Sequence, residues 1–229
     1  MPKHVGIVAC SAEGAALCYR TICDEAQALM GRHMHPEISM HNYCLGQYMD
    51  HIYHDDWQGV AEFMLSSSHK LAKAGADFLI SPDNTIHHAY DLVVPHSPLP
   101  WLHIVDEVAA VAKAREYRKL AITGTKYTME GTVYQQKLPA AGFEYLVPEA
   151  EERAKIDQII MDELVNGIFT DESRTYFQQV IGRMSHEGCD AVVLGCTEIP
   201  LLIDDVTSPL PTLDSTRILA RAALNKALE

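Results

Sequence analysis

Two residues able to carry a proton stand where apolar runs stop. Asp83 follows "DFLIS" and a proline, and Cys196 follows "DAVVLG" (190–195). Laid over one another, "HKLAKAGADFLISPDNT" (69–85) and "GRMSHEGCDAVVLGCTE" (182–198) agree in more than their apolar content. Gly75 falls on Gly188, Asp77 on Asp190, Asp83 on Cys196 and Asn84 on Thr197, all at one offset (196 minus 83). A weaker echo links "GIVACSAEG" (6–14) with "AITGTKYTMEG" (121–131) at nearly that offset. Repeats at half the chain length suggest duplicated lobes. In parallel α/β sheets, ligands sit beyond the carboxyl ends of the strands. Two such lobes facing across a cleft would offer Asp83 to one face of a substrate and Cys196 to the other. The chemistry this suggests is proton transfer at carbon by a carboxylate and a thiol.

Each of these residues also has a plainer reading. Asp83 could cap a helix beginning at Thr85 or Ile86, because Asp is a favoured capping residue. Cys196 could be a small buried hydrophobe, the usual fate of a free cysteine. Against that, helix amides beginning after Cys196 would favour a thiolate. Asn84, Thr85 and Thr197 read either as caps or as a polar nest for a substrate carboxylate. Ser11, Thr125 and Thr128 occupy the corresponding turns and are further candidates for the same role. Cys10, in the first strand–helix loop, is the one other cysteine placed to line a site. Lys126 is the cation nearest a strand end, though lysines are mostly exposed.

The twelve histidines include pairs, His51 with His54 and His87 with His88, whose spacing could serve a metal. No HExxH-type motif surrounds them, so no metal is expected. His103 reads as a packing residue or a partner of Asp106. There is no glycine-rich nucleotide fingerprint or P-loop, and nothing favours a pyridoxal site. The expectation is an enzyme without a cofactor.

The elements that must position these residues alternate in the manner of an α/β fold with mainly parallel sheets. Strands are expected at 4–10, 37–42, 77–81, 119–123, 143–147 and 190–195. Helices are expected at about 13–30, 56–74, 100–116, 128–141, 150–165, 172–187 and 215–229, with Thr128 (with Glu130) and Ser215 as caps. The chain of 229 residues is 48% hydrophobic, enough for a large core. With 18 basic and 31 acidic residues its net charge is −13, which argues against nucleic acid or anionic membrane as a partner. No cationic, apolar leader opens the sequence and no apolar run reaches about 18 residues, so a cytoplasmic location is expected. The six cysteines lack framework spacing and read as reduced thiols.

"GADFLISPDNTIH" and "GCDAVVLGCTEIPLLI" resemble the aspartate/glutamate racemase family of cofactor-independent racemases. The likeness extends through "LPWLHIVDEV", "ITGTKYTMEGTVYQQKL", "IDQIIMDELVNGIF" and "PTLDSTRILARAAL", and "LGCTEIPLL" is its most specific element. The resemblance implies two α/β lobes related by a pseudo-twofold with the active site in the cleft, a homodimer, and a small-molecule carboxylate substrate. The expected division is 1–115 for the first lobe, completed by 212–229, and 116–211 for the second. In the family a cysteine at each strand end flanks the substrate's α-carbon. Cys196 matches the second, and Asp83 stands where the first is found. His87 follows the Asn-Thr pair as a histidine does in many members.

The implied activity is racemisation or epimerisation of an acidic amino acid, with Asp83 and Cys196 catalytic. A decarboxylase or cis–trans isomerase using Cys196 with a changed partner is the alternative. A ligand-binding relative without activity is the third reading. Where some members hold the distal carboxylate with a lysine, this chain has Val165 and Asn166, so the side-chain specificity stays open.

Overall fold

The computed structural model describes all 229 residues. The chain divides into two compact units, Met1–Glu107 with Thr216–Glu229, and Val108–Ser215. Each is built on its own all-parallel sheet.

The first unit holds β1 (Val5–Ala9), β2 (Ile38–Asn42) and β3 (Phe78–Ile80) in the order β2-β1-β3. The second holds β4 (Lys119–Gly124), β5 (Glu144–Leu146), β6 (Ala191–Gly195) and β7 (Thr212–Asp214) in the order β5-β4-β6-β7. Strands β1, β3 and β6 are apolar or glycine throughout and buried at every residue, as helix-covered parallel strands must be. The edge strands β2 and β5 alternate or expose residues.

The internal repeat has a structural basis. Asp77 Oδ2 accepts from the His4 amide at 2.7 Å, and the Asp77 amide donates back to the His4 carbonyl at 2.8 Å. Asp190 Oδ2 likewise accepts from the Lys119 amide at 2.9 Å, and its own amide donates to the Lys119 carbonyl at 2.8 Å. Helices Trp57–Lys73 and Asp171–His186 lead into Gly75 (φ +93°) and Gly188 (φ +88°). Both glycines take the left-handed turn that ends a helix, which costs a side chain strain.

Several elements depart from expectation. The helix expected at 128–141 is two, Lys126–Glu130 and Thr132–Ala140, broken at Gly131. Thr128 therefore lies inside a helix and is not a cap. Ser215 donates its hydroxyl to the Leu194 carbonyl at 2.9 Å, tying the start of helix Ser215–Leu228 to the end of β6. Helix Leu45–Tyr53 and strand β7 were not expected. No helix is long and apolar enough to cross a membrane.

Candidate active-site residues

In each sheet the chain order places a switch point beside the first strand. From β1 the chain goes to β2 on one side and then crosses to β3 on the other; from β4 it goes to β5 and then crosses to β6. Such a reversal leaves a crevice beyond the carboxyl ends of the two strands concerned, where ligands bind in open α/β sheets. The register says which residues reach it. The β1–β3 pairing runs from Val5–Phe78 to Ile7–Ile80, and the chain beyond each strand leads to Cys10 and Asp83. Leu120 pairs with Ala191, and extending that register brings Thr125 level with Cys196.

At the first switch point, Ser11 caps helix Ala12–Met30, its hydroxyl accepting from the Gly14 amide at 3.2 Å. Asp83 Oδ1 accepts from the amides of Thr85 at 3.0 Å and Ile86 at 3.3 Å. It thereby caps the short 3₁₀ turn Thr85–Ala89. The charge of this carboxylate also acts on the buried Cys10 thiol. Burial, then the Asp83 charge, push the Cys10 thiol well above its ordinary value, so Cys10 stays protonated at neutral pH. Asp83 and Thr85 are partly exposed, whereas Asn84 is buried. His87 is fixed from both sides: Nδ1 lies 2.7 Å from the Asp83 carbonyl and Nε2 accepts from the Ile104 amide at 3.4 Å. With the Ile104 amide donating to Nε2, Nδ1 is left to donate to the Asp83 carbonyl, and the ring braces the turn. His51, one of the paired histidines, bonds Asp56 at 2.7 Å.

At the second switch point, the Cys196 thiol donates to Glu198 Oε2 at 2.9 Å, and the Thr197 hydroxyl donates to the same oxygen at 2.8 Å. Glu198 is buried and Cys196 is partly exposed. The helix that follows Cys196, Ile199–Leu202, is only 4 residues long and contains Pro200, and the thiol's partner is a carboxylate. Thr128 is buried against the strand ends, its hydroxyl 3.4 Å from both Thr125 Oγ1 and the Gly195 carbonyl. Its role here is to pack Gly124 and Gly195. Thr125 is partly exposed. Lys126 is exposed and lies over the Tyr127 ring at 4.9 Å. Asn166 turns its amide to the carbonyls of Met161 and Asp162 at 3.2 and 3.1 Å, and Val165 is exposed.

Ser11, Asp83, Asn84 and Thr85 thus gather within the first unit, and Thr125, Thr128, Cys196 and Thr197 within the second. Sequence reasoning passed over Glu198 and Tyr48. Glu198 was visible as the residue two past Cys196. Nothing local marked Tyr48, a fully buried phenol of helix Leu45–Tyr53, whose pKa is raised by burial and by Cys10 and Asp83.

Comparison with known proteins adds an independent line. A family model described as Asp/Glu/Hydantoin racemase matches residues 7–223. A broad specificity amino-acid racemase of Bacillus subtilis is 25% identical over 173 residues, 76% of this chain and 74% of that protein. Among solved structures, an inferred Asp/Glu racemase from Yersinia pestis superposes with a TM-score of 0.92 at 30% identity, covering 99% of this chain and 100% of the other. An aspartate racemase homologue from Pyrococcus horikoshii gives 0.87 at 27% identity, with all of both chains covered.

Proposed function

Because the chain belongs to the Asp/Glu/Hydantoin racemase family, we propose that it is a pyridoxal-independent amino-acid racemase or epimerase acting on an acidic amino acid. In this reading Asp83 and Cys196 exchange protons with the two faces of the α-carbon. The observation that carries it is their equivalence: Cys196 directly follows β6 and Asp83 lies three residues beyond β3, each after the strand beside its sheet's switch point and at matching places of the repeat. The resting partners favour one assignment. Asp83 accepts two amide hydrogen bonds and is suited to be the base. Cys196 donates to Glu198 and is suited to be the acid.

In the forward step the α C–H bond breaks, its proton goes to the Asp83 carboxylate, and the electron pair remains on the substrate as an enolate-like carbanion. Cys196 then gives its proton to the opposite face, which inverts the centre. The intermediate needs donors around the substrate carboxylate; Asn84, Thr85 and Thr197, with the turn amides, are assigned that work. Ser11, Thr125 and Thr128 support it from neighbouring turns, Thr128 by packing. A homodimer and a cytoplasmic location belong to the same proposal.

One observation favours a second reading. Asp83 already serves as a cap, and if that were its whole role, Cys196 would act alone, as in a decarboxylase or cis–trans isomerase. Asp83→Asn separates the two, since asparagine keeps the capping oxygen and loses the titrating proton. Racemisation of aspartate and glutamate, followed by α-deuterium uptake from heavy water, should fall at least about 10²-fold with the melting temperature nearly unchanged. Full activity in Asp83→Asn would transfer the case to the second reading. Absence of α-exchange with every amino acid offered to the unaltered protein would refute racemisation.

A further inference from the structure

Outside the catalytic turns, titratable side chains gather where β2 meets the helix Trp57–Lys73. His41 belongs to β2 and Tyr43 follows it, while Ser66, Ser67 and Lys70 meet them from the helix. Lys70 Nζ donates to Tyr43 Oη at 2.8 Å and to His41 Nε2 at 3.0 Å. An ammonium has no lone pair to offer, so His41 Nδ1 is left to donate to Ser67 Oγ, 2.9 Å away. Tyr43 Oη also shares a hydrogen bond with Ser66 Oγ at 2.8 Å. The ring is held as well as the oxygen, by His41 edge-on at 4.8 Å and by Phe63 at 4.9 Å. Lys70 is exposed and Tyr43 partly so.

The bond between His41 and Ser67 already ties β2 to this helix. Lys70 adds what a tie does not need, a positive charge whose partners are a phenol and an imidazole instead of a carboxylate. Ionisation of the phenol would balance that charge, and an ammonium in hydrogen-bond contact favours the ionised form. The Lys70 bond first, then the Ser66 bond, hold Tyr43 below its ordinary value against the opposing effect of burial. Burial and then the Lys70 charge hold His41 below its own, so the ring stays a neutral acceptor for Lys70 at neutral pH.

We propose that Tyr43 is a nucleophilic site for covalent modification, its oxygen held by Lys70 and Ser66 and attacking sulfonyl or phosphoryl centres that carry a leaving group. Two hydrogen bonds leave a lone pair of the ionised oxygen for the attack. With an aryl sulfonyl fluoride, the Tyr43 O–H bond breaks and its proton passes to solvent. The oxygen's electron pair forms the O–S bond, and the S–F bond breaks with its pair leaving as fluoride. Lys70 keeps its protons and faces the charge that builds on the sulfonyl or phosphoryl oxygens. None of these residues takes part in the proposed proton exchange, so the site stands whether or not the racemase reading holds.

The test exposes the full chain at neutral pH to an aryl sulfonyl fluoride and, separately, to a dialkyl fluorophosphate. Labelling of each tyrosine is timed by peptide mass spectrometry. Tyr43 should react fastest, ahead of Tyr53, which is 59% exposed and would lead if access alone decided. Lys70→Met keeps the apolar stem and removes the ammonium. It should slow labelling of Tyr43 about fivefold relative to Tyr53, the effect of one partly exposed, charge-assisted hydrogen bond. Lys70→Arg restores a cation and should recover most of the rate. Labelling led by another tyrosine with either reagent, or a Tyr43 rate unchanged in Lys70→Met, would overturn the inference. A readout on the unaltered protein needs no variant. The NMR resonance of Tyr43 Cζ should move to its phenolate position at a lower pH than in a short unstructured tyrosine peptide. A midpoint at or above that of the peptide refutes the site.

Discussion

Gly195, the last residue before Cys196, offers a measurable link between packing and catalysis. A Cβ added there would lie 2.7 Å from the Thr123 carbonyl oxygen and 2.8 Å from Thr128 Cγ2. One neighbour is backbone in the middle of the sheet and the other is a buried side chain, so neither can swing aside. Restoring ordinary contact distances requires movement of about 0.5–1 Å, and the end of β6 is the part free to give. Overpacking of this kind costs about 1–3 kcal/mol, a fall in Tm of roughly 2–12 °C for a chain of this size. The same movement displaces the Cys196 thiol, and a misplacement of about 1 Å costs roughly 10²-fold in rate.

Gly188→Ala supplies the control. Its φ of +88° strains any side chain, but its added Cβ meets nothing within 4 Å. It sits at the amino-terminal end of β6, and its strain of about 1–2 kcal/mol should lower Tm to a similar degree without touching kcat/KM. Thr128→Ser, which removes the methyl 2.8 Å away, should partly restore the Gly195→Ala variant. Thermal melts with racemisation assays decide the matter. If Gly195→Ala loses stability like Gly188→Ala but keeps full activity, the geometry of the β6 end is not what limits catalysis.

Other expectations follow from individual contacts. Asp83→Cys should retain racemisation, now between two thiols, and become sensitive to iodoacetamide at both positions; complete loss of activity would refute the equivalence of the two strand ends. Cys196→Ala should reduce turnover to a few per cent or less while Cys189→Ala does not, as steady-state assays would reveal. In Glu198→Gln the acceptor for the Cys196 proton is weaker, so iodoacetamide should alkylate Cys196 faster at neutral pH, and an unchanged labelling rate would contradict the hydrogen bond. Stability should fall on the alkaline side. The Cys10 value is raised above its ordinary 9.0, so the folded state holds a proton that the unfolded chain releases. That contribution is full below about pH 9 and is lost as pH rises toward the folded value. Tyr48, raised from 10.0, adds a later loss. Cys10→Ser should flatten the first part of this decline in melts run from about pH 8 upward.

The sequence by itself determined the lobes and the positions of the two residues proposed to exchange protons. Buried parallel strands must be apolar along their whole length, so "DFLIS" and "DAVVLG" announced themselves, and the shared glycine and aspartate before each run marked them as repeats. The short strand Thr212–Asp214 carries too few residues to show a period. The helix break at Gly131 sits in a stretch with the composition of one continuous helix, and both escaped the reading for that reason.

What only the tertiary structure decided is what surrounds each of these two residues. Cys10 and Asp83 are 73 positions apart (83 minus 10), and the Asp83 charge reaches the Cys10 thiol because β1 lies beside β3, a choice made by strand order. Cys196 and Glu198 are near neighbours in the chain. Whether the carboxylate faces the thiol or solvent depends on a side-chain orientation that the buried end of β6 dictates. Apolar pattern encodes where a strand runs and stops, because burial acts on each residue separately. Which charged group lies beside a buried thiol such as Cys10 depends on which strands are brought side by side, and that is fixed only when the whole sheet has formed.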